Sequence, residues 1–341
     1  MACLAFLPSA VSCGSNGSVD ANTGSVGDSL VPPDSAPVPR DTLPSDTLPP
    51  SPPPPPDSTP STPVVPQSGT PFGMVDLWID DTLKYGPAPF TMSMNFDNPL
   101  GIIDKIKHSR AIGHRLILGM TGGRHSRYTI NGKFDLGKWK ARMDSFNTPE
   151  IRAAVAAAVA DGTVMMANVM DEPNNYSWGG VMTKPLIDQM AAYVKAIFPT
   201  LVVGVSIRWD WRQEERYQVV DFIVTHYSAK FGSLTAWRDG ALTVAKDNGV
   251  SVLFTINPLD GGSHISGCPL GSTGGAGTYS SNCRMTAAQI RDFGSVLGVA
   301  GCALMVWKYE PQLMSNPDNV QAFKDLAAML ATHQAPPCRR H

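Results

Sequence analysis

The stretch Val164-Met165-Met166-Ala167-Asn168-Val169-Met170-Asp171-Glu172-Pro173 is an apolar run that ends in two adjacent carboxylates and a proline. One amphipathic helical stretch, Leu136–Ala160, precedes it, and another, Lys184–Phe198, follows it. A short apolar run between two helical stretches predicts a strand of a parallel sheet with helical crossovers. The same alternation continues in both directions along the chain.

Eight predicted strands alternate with six predicted helices from Pro71 onward. The predicted strands are Met74–Ile79, Phe90–Asn95, Leu116–Met120, Val164–Met170, Val202–Arg208, Phe222–Tyr227, Val252–Asn257 and Ala303–Tyr309. The predicted helices are Pro99–Ile112, Leu136–Ala160, Lys184–Phe198, Leu234–Asn248, Ala287–Leu297 and Asn319–Thr332. Eight strands over about 260 residues predict an α/β fold, a (β/α)8 TIM barrel. A doubly wound open sheet is the alternative, but it normally carries a glycine-rich phosphate turn after its first strand, and we find none.

The composition excludes other classes of protein. Hydrophobic residues make up 43% of the 341 residues, charged residues make up 16%, and the formal net charge is −2. These values exclude a coiled coil, a highly charged disordered chain and a basic nucleic-acid-binding protein. The sequence also has no run of 18 consecutive apolar residues that would predict a transmembrane helix.

The first 70 residues are unlike the rest. Gly14–Thr70 contains 15 of the 30 prolines and no Phe, Trp, Tyr, Ile or Met. Such a segment cannot bury enough apolar surface to offset the entropy of ordering, so residues 14–70 are predicted to be a disordered linker. Within it, Pro52–Pro56 predicts a stiff polyproline II spacer. The barrel is expected over residues 71–335, with a tail at 336–341.

Residues 1–13 form a short apolar leader that ends in Ala10-Val11-Ser12-Cys13. This end resembles a bacterial lipoprotein signal, in which a small residue precedes a cysteine that is lipidated after cleavage. The resemblance implies an exported protein whose one membrane contact is a lipid on Cys13, at the cell surface or in the periplasm. An ordinary secretory signal, and hence a secreted protein, is the alternative.

Four cysteines lie in the predicted globular part. Cys268 and Cys283 bracket a loop that has no apolar anchors, and Cys302 begins the last strand while Cys338 lies in the tail. An even number of cysteines in an exported chain favours disulfides, so we predict the pairs Cys268–Cys283 and Cys302–Cys338. A zinc site is disfavoured because no C-x-x-C pair is present.

Polar residues recur at every second position of several predicted strands. Since side chains two apart in a strand face the same side, these rows are expected to face the barrel interior and its mouth, and the apolar rows the helices. Catalytic groups of such barrels collect at the carboxyl ends of the strands. The predicted interior residues are Asp76, Asp80, Thr91, Ser93, Asn95, Asn168, Glu172, Ser206, Arg208, Thr225, Tyr227, Thr255 and Asn257. By the same rule, Asp171 is expected to turn towards the neighbouring strand or loop.

Asp171-Glu172-Pro173 at the end of the fourth predicted strand resembles the Asn-Glu-Pro motif of the large clan of retaining (β/α)8 glycoside hydrolases. In that clan the acid/base glutamate ends strand four, so the resemblance implies that Glu172 is the acid/base residue. Asp171 stands where the clan has asparagine. Segments from Gly132 to Arg142 and from Ala160 to Gly180 also resemble uncharacterised exported bacterial proteins, which implies a shared fold and no particular activity.

A glycosidase of either stereochemistry needs a second carboxylate near the first. The clan has a glutamate at the end of strand seven, where this chain reads Asn257-Pro258-Leu259-Asp260. Glu310, at the end of strand eight, is the first candidate, Asp260 the second and Asp171 the third. Lys308 shares a face with Glu310 and is an alternative partner for it.

Further residues near the strand ends suit carbohydrate binding, because aromatic faces stack on sugar rings and Arg, His and Asn side chains bind hydroxyls. The alternative for each aromatic residue is that it only packs the loops. The candidate substrate-binding residues are Arg124, His125, Asn168, Trp178, Arg208, His226, Tyr227, Asn257 and Trp307.

No cofactor or resident metal is predicted. The histidines are scattered, although Asp76, Asp80, Asp171 and Glu172 would be the residues to gather a divalent cation at the mouth. G-x-S-x-G and H-E-x-x-H motifs are missing.

Two functions therefore compete. The first is an exported, monomeric glycosidase that hydrolyses O-glycosidic bonds of a poly- or oligosaccharide. The second is a barrel that has lost the nucleophile and only binds carbohydrate, which the missing glutamate of strand seven favours.

Overall fold

The structure, a computed structural model, describes residues 69–77, 89–122, 125–211, 214–262 and 283–341. The predicted leader and almost all of the proline-rich linker lie outside this part of the chain, as do Asp80, Arg124 and Cys268. In the described part, no helix is both long and apolar enough to cross a membrane.

Eight parallel strands close into a barrel. In chain order they are β1 (Phe72–Val75), β2 (Met92–Phe96), β3 (Arg115–Gly119), β4 (Val164–Asp171), β5 (Val203–Ser206), β6 (Phe222–Tyr227), β7 (Ser251–Ile256) and β8 (Ala303–Val306). Each strand pairs with the next along the chain, and β8 closes the barrel by pairing with β1. The predicted (β/α)8 barrel is thus confirmed.

Helices pack around the barrel. They are α1 (Ile102–Ala111), α2 (Leu136–Asp144), α3 (Pro149–Ala160), α4 (Lys184–Ile197), α5 (Leu234–Asn248), α6 (Ala287–Gly298), α7 (Pro311–Met314) and α8 (Pro317–Ala331). Three 3-10 turns add His125–Tyr128, Tyr176–Trp178 and Ala229–Phe231, and a small hairpin pairs Thr129–Ile130 with Lys133–Phe134.

The prediction of one continuous helix over Leu136–Ala160 is wrong. The chain forms two helices because Pro149, the first residue of α3, disfavours a helical conformation at the residue before it. Thr148 is accordingly extended, with φ −97° and ψ 152°, and its side chain accepts a hydrogen bond from the backbone N–H of Ile151. Thr148 therefore caps a new helix instead of continuing the first.

The connection between β5 and β6 crosses the outside of the barrel with no helix among its described residues. Asp188 of α4, which is buried, holds this connection in place. Its carboxylate accepts hydrogen bonds from the backbone N–H groups of Gln218 (2.6 Å), Val219 (2.9 Å) and Val220 (3.0 Å). One side chain thus accepts hydrogen bonds from backbone N–H groups that, in a crossover helix, would donate to carbonyls of the same helix.

The barrel interior is mainly apolar. Its buried cluster is formed by Val75, Met92, Met94, Ile117, Met166, Val202, Phe222, Val224, Leu253, Cys302, Ala303 and Met305. A second, larger cluster lies between the strands and the helices. The predicted polar rows of β5 and β7 do end at the barrel mouth, where Ser206, Arg208, Thr255 and Asn257 line a cavity.

The polar residues of β2 and β6 that were predicted to face the barrel interior face the helices instead. In β2 the interior residues are Met92 and Met94, so Ser93 and Asn95 face the helices. In β6 the ring of Tyr227 lies 5.3 Å from that of Trp237 in α5, which places it outside the barrel. A period of two assigns residues to two faces of a strand, but it does not say which face is inside.

The C-terminal tail is fixed to the lower part of the barrel. Cys302, directly before β8, forms the predicted disulfide with Cys338. The hydroxyl of Ser251 donates to the backbone carbonyls of Pro337 (2.9 Å) and Arg339 (2.7 Å). Cys283 is also disulfide-bonded, but its predicted partner lies outside the described residues.

Removing the tail disulfide should destabilise the fold. The two cysteines are separated by 36 residues, and cross-linking a loop of that size stabilises by about 2–4 kcal/mol in the chain-entropy model. We expect the Cys302→Ser/Cys338→Ser variant to lose that amount of unfolding free energy, measured by urea denaturation. An unchanged midpoint would show that the hydrogen bonds of the tail, those of Ser251 and those of Arg340 with Val220 and Tyr217, suffice to hold it.

Candidate active site

A cavity of about 300 Å³ opens at the carboxyl ends of the strands. Three carboxylates, two cations and an indole share it, together with smaller polar groups. Its polar and aromatic lining residues are Asp171, Glu172, Ser206, Arg208, His226, Lys230, Thr255, Asn257, Asp260 and Trp307. The buried hydroxyl of Thr255 has no hydrogen-bond partner there, so the cavity offers an unused polar contact to a ligand or water.

A bulge in β4 brings Asp171 and Glu172 to the same cavity. Asn168 pairs with Gly204 of β5, whereas Asp171 pairs with Ser206, so β4 uses three positions where β5 uses two. The extra residue reverses the alternation of side chains beyond it. The expectation that Asp171 turns away from the mouth is therefore wrong, because both carboxylates line the cavity.

Glu172 has a strained backbone. Its φ is +43°, in the left-handed region that non-glycine residues rarely adopt. Three hydrogen bonds hold this conformation: the Glu172 N–H donates to the carbonyl of Ser206 (2.9 Å), and the Glu172 carbonyl accepts from the Asn175 N–H (2.8 Å) and the Trp178 indole N–H (3.0 Å). Strain of this kind costs roughly 1–3 kcal/mol and clusters at functional sites.

The side chain of Glu172 has few protein partners in the described part of the chain. Its Oε2 accepts one hydrogen bond of 3.3 Å from the amide of Asn175, and the residue is partly exposed. The backbone is thus held firmly while the carboxylate stays accessible from the cavity. This is the arrangement that a group meeting a ligand requires.

Asp171 has a strongly raised pKa. Burial, followed by the negative charge of Glu172, raises the pKa of Asp171 to about 7, and a hydrogen bond with Ser206 opposes the shift. The amide of Asn168 donates to the hydroxyl of Ser206 at 2.9 Å, so the hydroxyl proton is left to donate to Asp171.

This raised pKa has a consequence for stability. Because the pKa of Asp171 is higher in the folded protein than in the unfolded chain, the folded state binds more protons between about pH 4 and pH 7. The carboxyl group therefore costs stability as pH rises through that window, and the full cost applies above pH 7. We expect Asp171→Asn to be more stable than wild type at pH 8 by about 1–3 kcal/mol, since each pKa unit corresponds to ~1.4 kcal/mol and partial exposure reduces the effect.

Thermal unfolding at pH 4 and pH 8 tests this expectation. At pH 4 the two proteins should melt within a degree or two of each other, and only at pH 8 should the variant melt higher. An equal gain at both values would point to better packing of the amide, not to titration of Asp171.

The structure brings Asp260, and not Glu310, to the cavity. Asp260 lines it and lies 3.6 Å from the Lys230 ammonium. Asn257 folds the loop back, because its side-chain oxygen accepts from the N–H groups of Leu259 (3.1 Å) and Asp260 (3.2 Å). Glu310 instead precedes α7 and pairs with Lys308 at 3.7 Å, the alternative that the sequence left open. Of the two candidates, Asp260 lines this cavity and Glu310 does not.

Four of the predicted substrate-binding residues line the cavity: Arg208, His226, Asn257 and Trp307. Arg208 is held by both oxygens of Asp210, at 3.0 and 2.6 Å. Burial lowers the pKa of His226, and the charge of Glu172 opposes this. A neutral imidazole can both donate and accept hydrogen bonds, which suits contact with hydroxyl groups.

Four other predicted residues lie behind or outside the cavity. Asn168 is buried and reaches Ser206, and Tyr227 packs against helices. Trp178 is 2% exposed and supports the Glu172 backbone from behind. The His125 ring lies 4.1 Å from that of Trp178. Burial lowers the pKa of His125, while the charge of Glu172 raises it, so His125 is within electrostatic range of the site.

The sequence interpretation missed Lys230. This residue lies in the 3-10 turn after β6, lines the cavity and pairs with Asp260. The sequence feature that could have identified it is a single lysine three positions beyond the end of a strand, where catalytic barrels carry functional groups.

Among the described residues, no group of three or more His, Cys, Asp or Glu side chains could hold a metal ion. Of the four residues considered for a cation, Asp80 lies outside the described chain. Asp76 has its pKa raised by burial, lies near Lys308 and Glu310, and does not line the cavity.

Comparisons with known proteins give structural similarity only. No family model matches the chain, and no curated protein matches it in sequence. A GH113 β-1,4-mannanase structure is 11% identical over 76% of this chain and 98% of that one, with a TM-score of 0.49. Xylanase 10B from Thermotoga maritima is 10% identical over 78% and 96%, also with 0.49. A GH18 chitinase from Flavobacterium johnsoniae is 10% identical over 77% and 95%, with 0.44.

These solved structures are glycoside hydrolases, but likeness at this level assigns neither a family nor an activity to the chain. The chemistry available to this protein is therefore set by the residues of its own cavity.

Proposed function

We propose that this protein is a glycoside hydrolase that acts in the cavity at the barrel mouth. One observation carries the proposal: the carboxyl pair Asp171–Glu172 on one wall and Asp260 on another face the same 300 Å³ space. Glycoside hydrolysis needs a carboxylic acid that is protonated near neutral pH and a negative charge near the anomeric carbon. The cavity holds one carboxyl group with a raised pKa, Asp171, and two further carboxyl groups, Glu172 and Asp260.

Glu172 acts as the acid. Its carboxyl group is accessible from the cavity, so in its protonated form it can give a proton to the departing oxygen. As the proton leaves and the bond to the sugar breaks, positive charge develops at the anomeric carbon. Asp260, on the loop beyond β7, provides negative charge for that transition state.

Neutral and cationic groups of the cavity bind the sugar. Trp307 offers an aromatic face, and Arg208 and Asn257 offer donors to hydroxyl groups. The cavity volume fits a sugar unit of a longer chain that extends into solvent. The substrate is therefore a poly- or oligosaccharide.

A binding protein without turnover is the second candidate. It is favoured by the end of β7, where Asn257 caps a loop and no carboxylate stands at the strand end itself. In that case the Lys230–Asp260 ion pair would bind sugar hydroxyls.

A single experiment separates the two. Purified protein is incubated with α- and β-aryl glycosides and with insoluble and soluble polysaccharides, and released phenol or reducing ends are measured beside retention on the polymer. Release that disappears in Glu172→Gln supports the hydrolase. Retention without release, unchanged in Glu172→Gln and reduced in Trp307→Ala, supports the binding protein.

Export is part of the proposal. The leader ending at Cys13 and the proline-rich linker would place the barrel on the cell surface or outside the cell as a monomer, with access to polymers too large to enter.

A further inference from the structure

We propose that a second carbohydrate-binding site lies on the outside of the barrel, in a cavity of about 830 Å³ between α4 and α5. This outer cavity holds a stretch of a neutral polysaccharide against Trp209 and Trp211. Binding there goes beyond the proposed function, since it does not depend on turnover at the barrel mouth. In the described part of the chain, the outer cavity and the mouth cavity share no lining residue.

The outer cavity lies where a helix of the barrel is replaced by an irregular connection. A helix after β5 would normally pack between α4 and α5, but the described residues between β5 and β6 form none. Side chains of the two neighbouring helices, such as Lys184 of α4 and Val244 of α5, line the cavity instead. The connection itself adds Trp209 and Trp211.

The indole of Trp209 is held in place by α5. A Cβ atom at Gly240, in the middle of that helix, would lie 2.7 Å from Cη2 of Trp209, so the glycine makes room for the ring. Glycine inside a helix is destabilising relative to alanine. The ring of Trp237 packs edge-on against Trp209 at 6.2 Å. Trp209 is therefore a fixed aromatic surface, and it is half-buried, as is Trp211.

Two buried polar groups at the inner end of the cavity have no hydrogen-bond partner among the described residues. They are the hydroxyl of Tyr217, a residue that is 3% exposed, and the indole N–H of Trp209. Both residues line a narrow extension of about 10 Å³, which also touches Lys184 and Trp211. That volume is about the room that one hydroxyl or water needs. A ligand group that pairs with these atoms would remove the cost of leaving them unpaired.

The indole N–H of Trp209 decides the chemical class of this ligand. An indole N–H only donates, so its partner needs an acceptor, and an ammonium or guanidinium group has none. An anion has acceptors, but the carboxylates that line the cavity outnumber its one ammonium, Lys184, and repel it. These carboxylates are Asp210, which pairs with Arg208, and the exposed Glu214, Glu215 and Asp247.

A neutral sugar matches every group of the cavity. Its hydroxyls accept from the indole N–H at the inner end and donate to the carboxylates at the rim. Its apolar ring face packs on an indole. The volume of 830 Å³ exceeds that of the mouth cavity, so several units of a polysaccharide fit.

Retention on insoluble polysaccharides tests the inference with the full chain. The protein is mixed separately with cellulose, chitin, β-mannan and xylan, and the bound fraction is measured over a range of polymer concentrations. On a polymer that retains the wild type, Trp211→Ala should weaken binding by about tenfold, as for the loss of a central aromatic contact. Because the ligand is neutral, retention should be equal at low and high salt.

A second variant and two controls make the result specific. Val244→Arg keeps both indoles and fills the cavity from a half-buried helix position, so it should also weaken retention and decides the case if Trp211→Ala does not fold. Tyr193→Ala removes a half-buried ring of α4 that packs against Trp139 and does not line the cavity, so retention should equal that of wild type. Retention that persists in Trp307→Ala places the contact outside the mouth.

Several outcomes would overturn the inference. Full retention of both Trp211→Ala and Val244→Arg would do so, as would no retention of the wild type on any of the four polymers. Binding of tetramethylammonium that depends on Trp211 and weakens with salt, without retention on a polymer, would assign the cavity to organic cations instead. Failure of the proposed function is distinct: retention that depends on Trp211, with no release from any aryl glycoside, would refute the hydrolase and keep the outer site.

Discussion

Glu172→Gln should lower the turnover of substrates with poor leaving groups by about 10²–10⁴-fold, the usual contribution of general acid–base catalysis. Glutamine keeps the shape of the side chain and can still contact Asn175, but it has no proton to transfer. Substrates whose leaving group needs no proton, such as dinitrophenyl glycosides, should be affected much less. The measurement is kcat/KM for a series of aryl glycosides with different leaving-group pKa values.

Two controls make this result specific. Glu310→Gln removes a carboxylate of the same type from a half-buried ion pair outside the cavity, so activity should stay close to that of wild type. The melting temperature of Glu172→Gln should match that of wild type, since the backbone hydrogen bonds that hold residue 172 do not involve its carboxylate. A fully active Glu172→Gln, or an inactive Glu310→Gln with an intact fold, would contradict the assignment.

The barrel could be predicted from the sequence because its evidence is local. Predicted and observed bounds agree for β6 and α5, and they differ by one to three residues at most other ends. Apolar runs with turn signals at both ends suffice to identify buried strands. The eight-strand count then leaves few topologies.

The site could be predicted only in part, because its geometry depends on contacts between distant residues. Asp171 reaches the cavity through a bulge that is defined by the register between β4 and β5, and no residue in β4 alone signals it. Asp260 lines the cavity, and the Asn257 side chain, which accepts hydrogen bonds from its own loop, holds that loop in place. Similarly, Trp178 has the composition of a sugar platform but is buried behind Glu172.

The β5–β6 connection gives the largest expected effect on stability. Asp188→Ala should lower the free energy of unfolding by about 3–5 kcal/mol, because it leaves three backbone N–H groups without their acceptor in a segment that has no helix to satisfy them. Urea denaturation followed by tryptophan fluorescence measures the loss. Since this connection leads into β6, which carries His226 to the cavity, activity should fall with it.

Asp188→Asn should also lower the free energy of unfolding, but by less than Asp188→Ala. Its one carbonyl oxygen can still accept from Val219 and Val220, which share Oδ1 in the wild type, whereas the amide group would face the Gln218 N–H that now bonds Oδ2. The loss should therefore be smaller than for alanine, about 1–3 kcal/mol. Equal losses for the two variants would mean that the charge of Asp188, and not its three hydrogen bonds, holds the connection. Losses below about 1 kcal/mol in both would mean that water satisfies these N–H groups and that the neighbouring contacts of Lys195 with Val219 and Asp221 keep the segment in place.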